Sequence, residues 1–391
     1  MVYEFNKIIE RKSTNCIKYD FAAERGKPED VLPLWVADMD FQTPPEVTDA
    51  MISACRHGIF GYSEVKLPYF QIVFDWFQNY FKWDTEAAWL VKTPGVVFAI
   101  CTAIRAFSNP GDSILIQRPV YYPFTNSILD NDRVLVNSPL VYRDGFYSID
   151  LEDFEAKIRE NKVKVFVLCN PHNPVGRVWS RDELIGMGEI CLKHNVIVVS
   201  DEIHADFTRP GFQHTVFANL KPEYADITIT CTAPSKTFNL AGLQVSNIFI
   251  SNRELRFPFR KELYRTGYCQ LNTMGLVACQ AAYANGSHWL KELKSYLEGN
   301  LEFVRSFLKR ELPQITLIEP QGTYLLWLDF RELGMSEEVL DRFILDKAKL
   351  WLDKGTMFGP EGEGFQRINI ACPRVTLEKA FSQLKHAIEQ L

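Results

Sequence analysis

The chain has 391 residues, 47% hydrophobic and 24% charged, with a formal net charge of -6. That length suits two domains better than one small core, and the mildly acidic balance argues against nucleic-acid binding through a basic field. No apolar run reaches the roughly 18–20 residues of a membrane span, and the opening MVYEFNKIIERKSTN lacks the apolar core of a secretory signal. No membrane association is expected, and the expected location is the cytoplasm. Nine cysteines occur without a CxxC pair, as in a reducing compartment, which excludes a disulfide framework and a structural zinc site. The seven histidines show no HExxH spacing, so no metal is expected.

In chain order, the N-terminal stretch is rich in turn signals around Pro28, Pro33 and Thr43-Pro44-Pro45. From about Leu90 to Ser251, short β-branched runs alternate with amphipathic ones. The runs Ser113–Gln117, Arg133–Asn137, Lys164–Cys169, Val196–Ser200, Ile227–Cys231 and Asn247–Ile250 predict strands. Several are nearly all apolar, as for strands covered on both faces. Helices are expected at Val96–Phe107, Leu151–Arg159 and Arg181–His194, the last behind Ser180 with Glu183 three residues on, a capping-box arrangement. The alternation predicts an α/β domain with a mostly parallel sheet flanked by helices.

After about His288 the pattern changes. A helix is expected from Trp289 to about Glu311, before Pro313. Strands follow at Ile315–Ile318 and Tyr324–Leu328, with a turn at Gly322, then helices at about Glu337–Leu350 and Leu377–Leu391. This reads as a smaller α+β domain of residues 288–391, completed by residues 1–47. The large domain is then residues 48–287.

Ligands of open α/β sheets bind outside the carboxyl ends of the strands. Three successive strand ends carry an amide, a carboxylate and an amine. They are Asn173 in NPHNPVGR, Asp201 in SDEIHADF and Lys236 in SKTFNLAG. Pyridoxal phosphate (PLP) needs such a set: a lysine amine for its aldehyde, a carboxylate for its protonated ring nitrogen, an amide donor for its ring oxygen and backbone N–H groups at a helix start for its phosphate.

These segments, in this order and spacing, resemble the fold-type I PLP enzymes of the class I/II aminotransferase superfamily. The early segment LWVADMDF (Leu34–Phe41) resembles the MalY/PatB-type branch of cystathionine β-lyases (C–S lyases). The likeness runs over essentially the whole chain. It implies that Lys236 carries the cofactor and Asp201 pairs with the ring nitrogen. Asn173 would donate to the ring oxygen, with His204 where many aminotransferases have a tyrosine, and Tyr121 would stack on the ring. Arg367 would bind the substrate α-carboxylate, the planar bidentate task arginine suits, with Ala37 and Asn173 beside it. Gly95, Val96 and Val97 would hold the phosphate, helped by Ser235 and by Tyr62 of a neighbouring subunit. One position departs from the pattern. Many aminotransferases have an arginine eight residues after the lysine, and here Gln244 stands there.

The implied reaction is α,β-elimination of a sulfur amino acid to a thiol, pyruvate and ammonia, in a homodimer with a shared active site. The alternative is an aminotransferase using the same residues as far as proton abstraction. A third reading, a regulatory protein on an enzyme fold, finds no basic helix-turn-helix before the sheet domain.

Overall fold

The β-branched runs fold as strands, each within a residue or two of its expected limits. The computed structural model describes residues 3–391. Its strands are β1 (Leu32–Pro33), β2 (Leu90–Thr93), β3 (Ser113–Ile116), β4 (Val134–Asn137), the hairpin β5 (Val141–Arg143) and β6 (Phe146–Ser148), β7 (Val165–Cys169), β8 (Ile197–Asp201), β9 (Thr228–Thr232), β10 (Ser246–Phe249), β11 (Thr316–Ile318), β12 (Leu325–Asp329), β13 (Leu350–Trp351), β14 (Asp353–Lys354) and β15 (Phe365–Asn369). Seven form one sheet in the order β2-β10-β9-β8-β7-β3-β4. Strands β4, β3, β7, β8 and β9 run parallel. Strand β10 runs antiparallel to both β9 and β2. The sheet is thus mostly parallel, as expected.

Helices α1 (Pro45–His57), α2 (Leu67–Phe81), α3 (Val96–Phe107), α4 (Pro123–Leu129), α5 (Leu151–Asn161), α6 (Arg181–Lys193), α7 (Pro222–Asp226), α8 (Pro234–Thr237), α9 (Arg253–Arg265) and α10 (Thr273–Asn285) belong with this sheet in chain order, followed by α11 (Ser287–Glu311), α12 (Glu337–Arg342) and α13 (Arg374–Ile388). Alternate residues of β7 face opposite ways. Val165 and Val167 pack with Ile100, Ile104 and Phe259 of α3 and α9. Phe166 and Leu168 pack with Phe154, Leu184 and Met187 of α5 and α6. Every residue of β7 is buried, which explains its unbroken apolar run. The capping box at Ser180 forms in full.

The C-terminal unit is a four-stranded antiparallel sheet, β11-β12-β15-β14, packed with α11 and α13. The helix expected over Glu337–Leu350 is a correction. It ends at Arg342, continues as a π-helical turn through Lys347, and gives way to β13. The reason is tertiary: Leu350 and Trp351 pair in parallel with Leu32 and Pro33, and that pairing overrides local helix preference. The N-terminal segment thus pairs with β13, and Trp35 stacks on Trp351 with ring centroids 4.5 Å apart.

Candidate active site

Strand register brings the chemistry together. Cys169 lies opposite Asp201, and Asp201 opposite Cys231, so β7, β8 and β9 end level. Antiparallel β10 starts at that same edge, with Ser246 opposite Thr93 at the end of β2. The turn after β7, Asp201, the turn after β9, the segment before β10 and the start of α3 therefore meet. They line one cleft, at the strand-end position where small-molecule sites of open α/β sheets lie. Ten of the twelve expected residues line it: Ala37, Gly95, Val96, Val97, Tyr121, Asn173, Asp201, His204, Ser235 and Lys236.

Lys236 sits on the single turn α8, where Pro234 opens the turn. Its Nζ donates to the Ala37 carbonyl at 2.8 Å. Burial brings its pKa down to about 8, assisted by Arg367 and opposed by Asp38 and Asp201. Asp201 moves the other way. Burial pushes it up to about 7, against the pull of the Ile203 amide and the Lys236 cation. His204 is held well below its ordinary value by burial and by the Lys236 and Arg367 charges, so its ring is neutral. Burial raises the Tyr121 hydroxyl, which stays protonated.

Arg367, on β15, stands behind Asn173. Its Nη1 donates to Asn173 Oδ1 at 3.1 Å and its Nη2 to the Trp35 carbonyl at 2.8 Å. The guanidinium also pairs with buried Asp353 and lies over Phe358. Tyr62 is elsewhere in the chain's own surface. It is 96% exposed and lines a separate hollow with Gly267–Met274. Gln244 lines both that hollow and the cleft.

Sequence reasoning missed three groups. Tyr324 donates from its hydroxyl to the Ala37 carbonyl at 3.0 Å, and its ring meets His204 edge to face. Asp353 holds Arg367. Arg11, Lys18, Asp38 and Asp40 form a partly buried ion cluster next to Ala37 in the chain. Asp353 and Tyr324 are single polar residues in apolar surroundings, with no local motif. The Asp38-Met39-Asp40 pattern carried a signal, but its cations come from a segment some 20 residues earlier.

Architecture and site together define a fold-type I PLP-enzyme fold. Aminotransferase class I and II is matched by residues 29–384, and the chain belongs to that family. Cystathionine beta-lyase PatB of Bacillus subtilis (strain 168) is 44% identical over 384 residues, covering 98% of this chain and 99% of that one. Protein MalY of Escherichia coli (strain K12) is 33% identical, covering 99% of each. Among solved structures, PLP-containing cystalysin from Treponema denticola superposes with a TM-score of 0.97 at 37% identity, covering 100% of both chains.

Proposed function

We infer that this protein is a PLP-dependent carbon–sulfur lyase acting on sulfur amino acids of the cystathionine or cystine type. The chemistry rests on Lys236, Asp201 and Asn173 opening into one cleft at the carboxyl edge of the sheet. The choice of elimination rests on the 44% identity with PatB.

The residues fit the cofactor. Asp201 is a buried carboxylate with its pKa pushed up to about 7. A cationic ring N–H against it would bring it back to the ionised form. His204 Nδ1 and Arg367 Nε are buried without a protein partner, and polar groups so placed call for a ligand atom. The twelve-residue helix α3 starts in the cleft with Val96 and Val97, and helix N-termini favour phosphate. A methyl group added at Gly95 would meet nothing within 4 Å, so the backbone there is open to close approach.

Bound PLP supplies the electron sink for the charge left at Cα. Asp201 keeps the ring-nitrogen proton in place. Asn173 and His204 address the ring oxygen, Tyr121 covers the ring face, and Ser235 adds a hydroxyl at the phosphate. Arg367, with Asn173 and Ala37 alongside, receives the α-carboxylate. Lys236, carrying the cofactor at rest and free as an amine after substrate enters, removes the Cα proton. The thiolate then leaves Cβ, and with one water consumed the remainder becomes pyruvate and ammonia. On the proposed division, residues 48–287 supply the cleft, and the unit formed by 1–47 with 288–391 adds Ala37 to it. A second copy of the chain completes it through Tyr62, in a cytoplasm whose reducing poise suits nine free thiols.

Incubation with L-cystathionine tests this: pyruvate and free thiol are expected in equal amounts, and none from Lys236→Ala. Amino-group transfer to a keto acid without thiol release would make the protein an aminotransferase instead.

A further inference from the structure

The segment Trp35–Phe41 is a strap tied at almost every residue. Arg367 bonds the Trp35 carbonyl at 2.8 Å. Asn369 bonds the carbonyls of Val36 at 2.6 Å and Asp38 at 2.5 Å. Asn239 grips Met39 at both its N–H and its carbonyl, each at 3.0 Å. The Asp40 amide donates to the Ala371 carbonyl at 2.9 Å. At the centre, the Ala37 carbonyl accepts from both Tyr324 Oη and Lys236 Nζ.

Beneath the strap lie two carboxylates and two cations. Arg11 reaches Asp38 at 2.5 Å and Asp40 at 2.6 Å. Lys18, completely buried, reaches Asp40 at 2.9 Å and Asp38 at 3.6 Å. Tyr19 donates to Asp40 at 3.0 Å. Lys18 and Asp40 are buried while Arg11 and Asp38 are partly exposed, and burying even one such ion pair to hold a loop is expensive and stabilises a fold poorly compared with apolar packing. Their place, one residue from the carbonyl that holds the lysine amine, gives them another use.

We propose that Asp38 is a positioning residue for Lys236: with Arg11 and Lys18 as counter-ions, it sets the charge behind the Ala37 carbonyl that receives the lysine amine when it is free and when it carries the Cα proton. This rests on Lys236 being the cofactor-bearing base. The charged groups facing Lys236 are Asp38 on the strap, Asp201 at the end of β8 and Arg367 on β15, with neutral His204 beside them. Asp38 belongs to a four-charge cluster none of whose members lines the cleft, so the sign of that cluster can be changed from outside it.

The cluster is neutral as built, so its two halves make opposite predictions. Asp38→Asn leaves excess positive charge and shifts the lysine titration to lower pH. Lys18→Met leaves excess negative charge and shifts it to higher pH. About half a unit to one unit is expected in each direction. Two readouts on the holoenzyme report it: the pH at which the visible absorption of the resting enzyme changes, and the acid limb of kcat. Arg11→Gln, at a side chain 21% exposed, repeats the Lys18→Met prediction if that variant fails to fold. Opposite shifts support the proposal. Shifts of one sign, or lowered kcat with no shift, reduce the cluster to a structural tie and overturn it. Persistence of the visible band in Lys236→Ala would instead overturn the lysine assignment beneath it, and with it the proposal.

Discussion

The role of base proposed for Lys236 suits an amine whose pKa is lowered by desolvation in the cleft. An ordinary lysine with a pKa near 10.5 is neutral in only about one molecule in 3,000 at pH 7. With the value brought down to about 8, roughly a tenth is neutral at the same pH. The neutral form takes the proton, so kcat for elimination is expected to rise with pH, about tenfold per unit, and to level off above about pH 8. A pH profile of kcat flat from 6 to 9 would remove Lys236 as the titrating base. Arg367 makes a second prediction. Its fork already spans Asn173 and the Trp35 carbonyl, and lysine cannot reproduce a planar fork. Arg367→Lys should raise KM about tenfold or more while lowering kcat less, because the carboxylate contact exists in ground and transition states alike. Steady-state kinetics on L-cystathionine measures the split. Asn173, Asp201 and Lys236 were legible because each lies within a few residues of a strand end, so chain order alone placed them at one edge. Tyr324 and Asp353 were not. Their approach depends on the C-terminal sheet folding against the strap, which no local pattern encodes.

The elements that were legible are those whose burial leaves a mark in composition. Strands β7 and β9 are buried at every residue and read as unbroken runs of apolar, β-branched or small side chains. Strand β2 escaped because its four residues, LVKT, include a half-buried lysine. The segment at Leu350 was misread because its partner lies more than 300 residues away. Helix α6 shows how tightly the helix layer fits. A Cβ on Gly188 would lie 2.5 Å from the Tyr224 ring. Tyr224 is fully buried, and its hydroxyl is tied to Glu189 at 2.6 Å and the Ile185 carbonyl at 3.1 Å, so the ring has nowhere to go. Gly188→Ala is therefore expected to destabilise the fold by about 1–3 kcal/mol, despite the better helix propensity of alanine. Chemical denaturation reads this directly, and a midpoint equal to or above that of the parent would mean that α6 and α7 slide apart freely. None of Ile185, Gly188, Glu189 and Tyr224 lines the cleft, so cofactor absorbance per folded molecule should not change.

At the scale of the whole molecule, the segment around Tyr62 carries the argument. Ile59, Phe60, Tyr62 and Leu67 are 71%, 61%, 96% and 70% exposed, and a run of large apolar side chains this open marks an association surface. The hollow it lines meets the cleft at Gln244, so whatever covers this surface stands at the edge of the cleft. A second copy related by a two-fold axis would place its Tyr62 there while offering its own cleft to the first. This arrangement makes a quantitative prediction. Lys236→Ala and Tyr62→Ala homodimers should each be nearly inactive. Unfolded together in equal amounts and refolded, half of the dimers are hybrids. Each hybrid has one site bearing both defects and one bearing neither, so roughly a quarter of the parent activity should return. If Tyr62 served only its own subunit, every site would keep one defect and mixing would restore nothing. The recovered activity thus separates a site completed across the two-fold axis from one complete within a single chain.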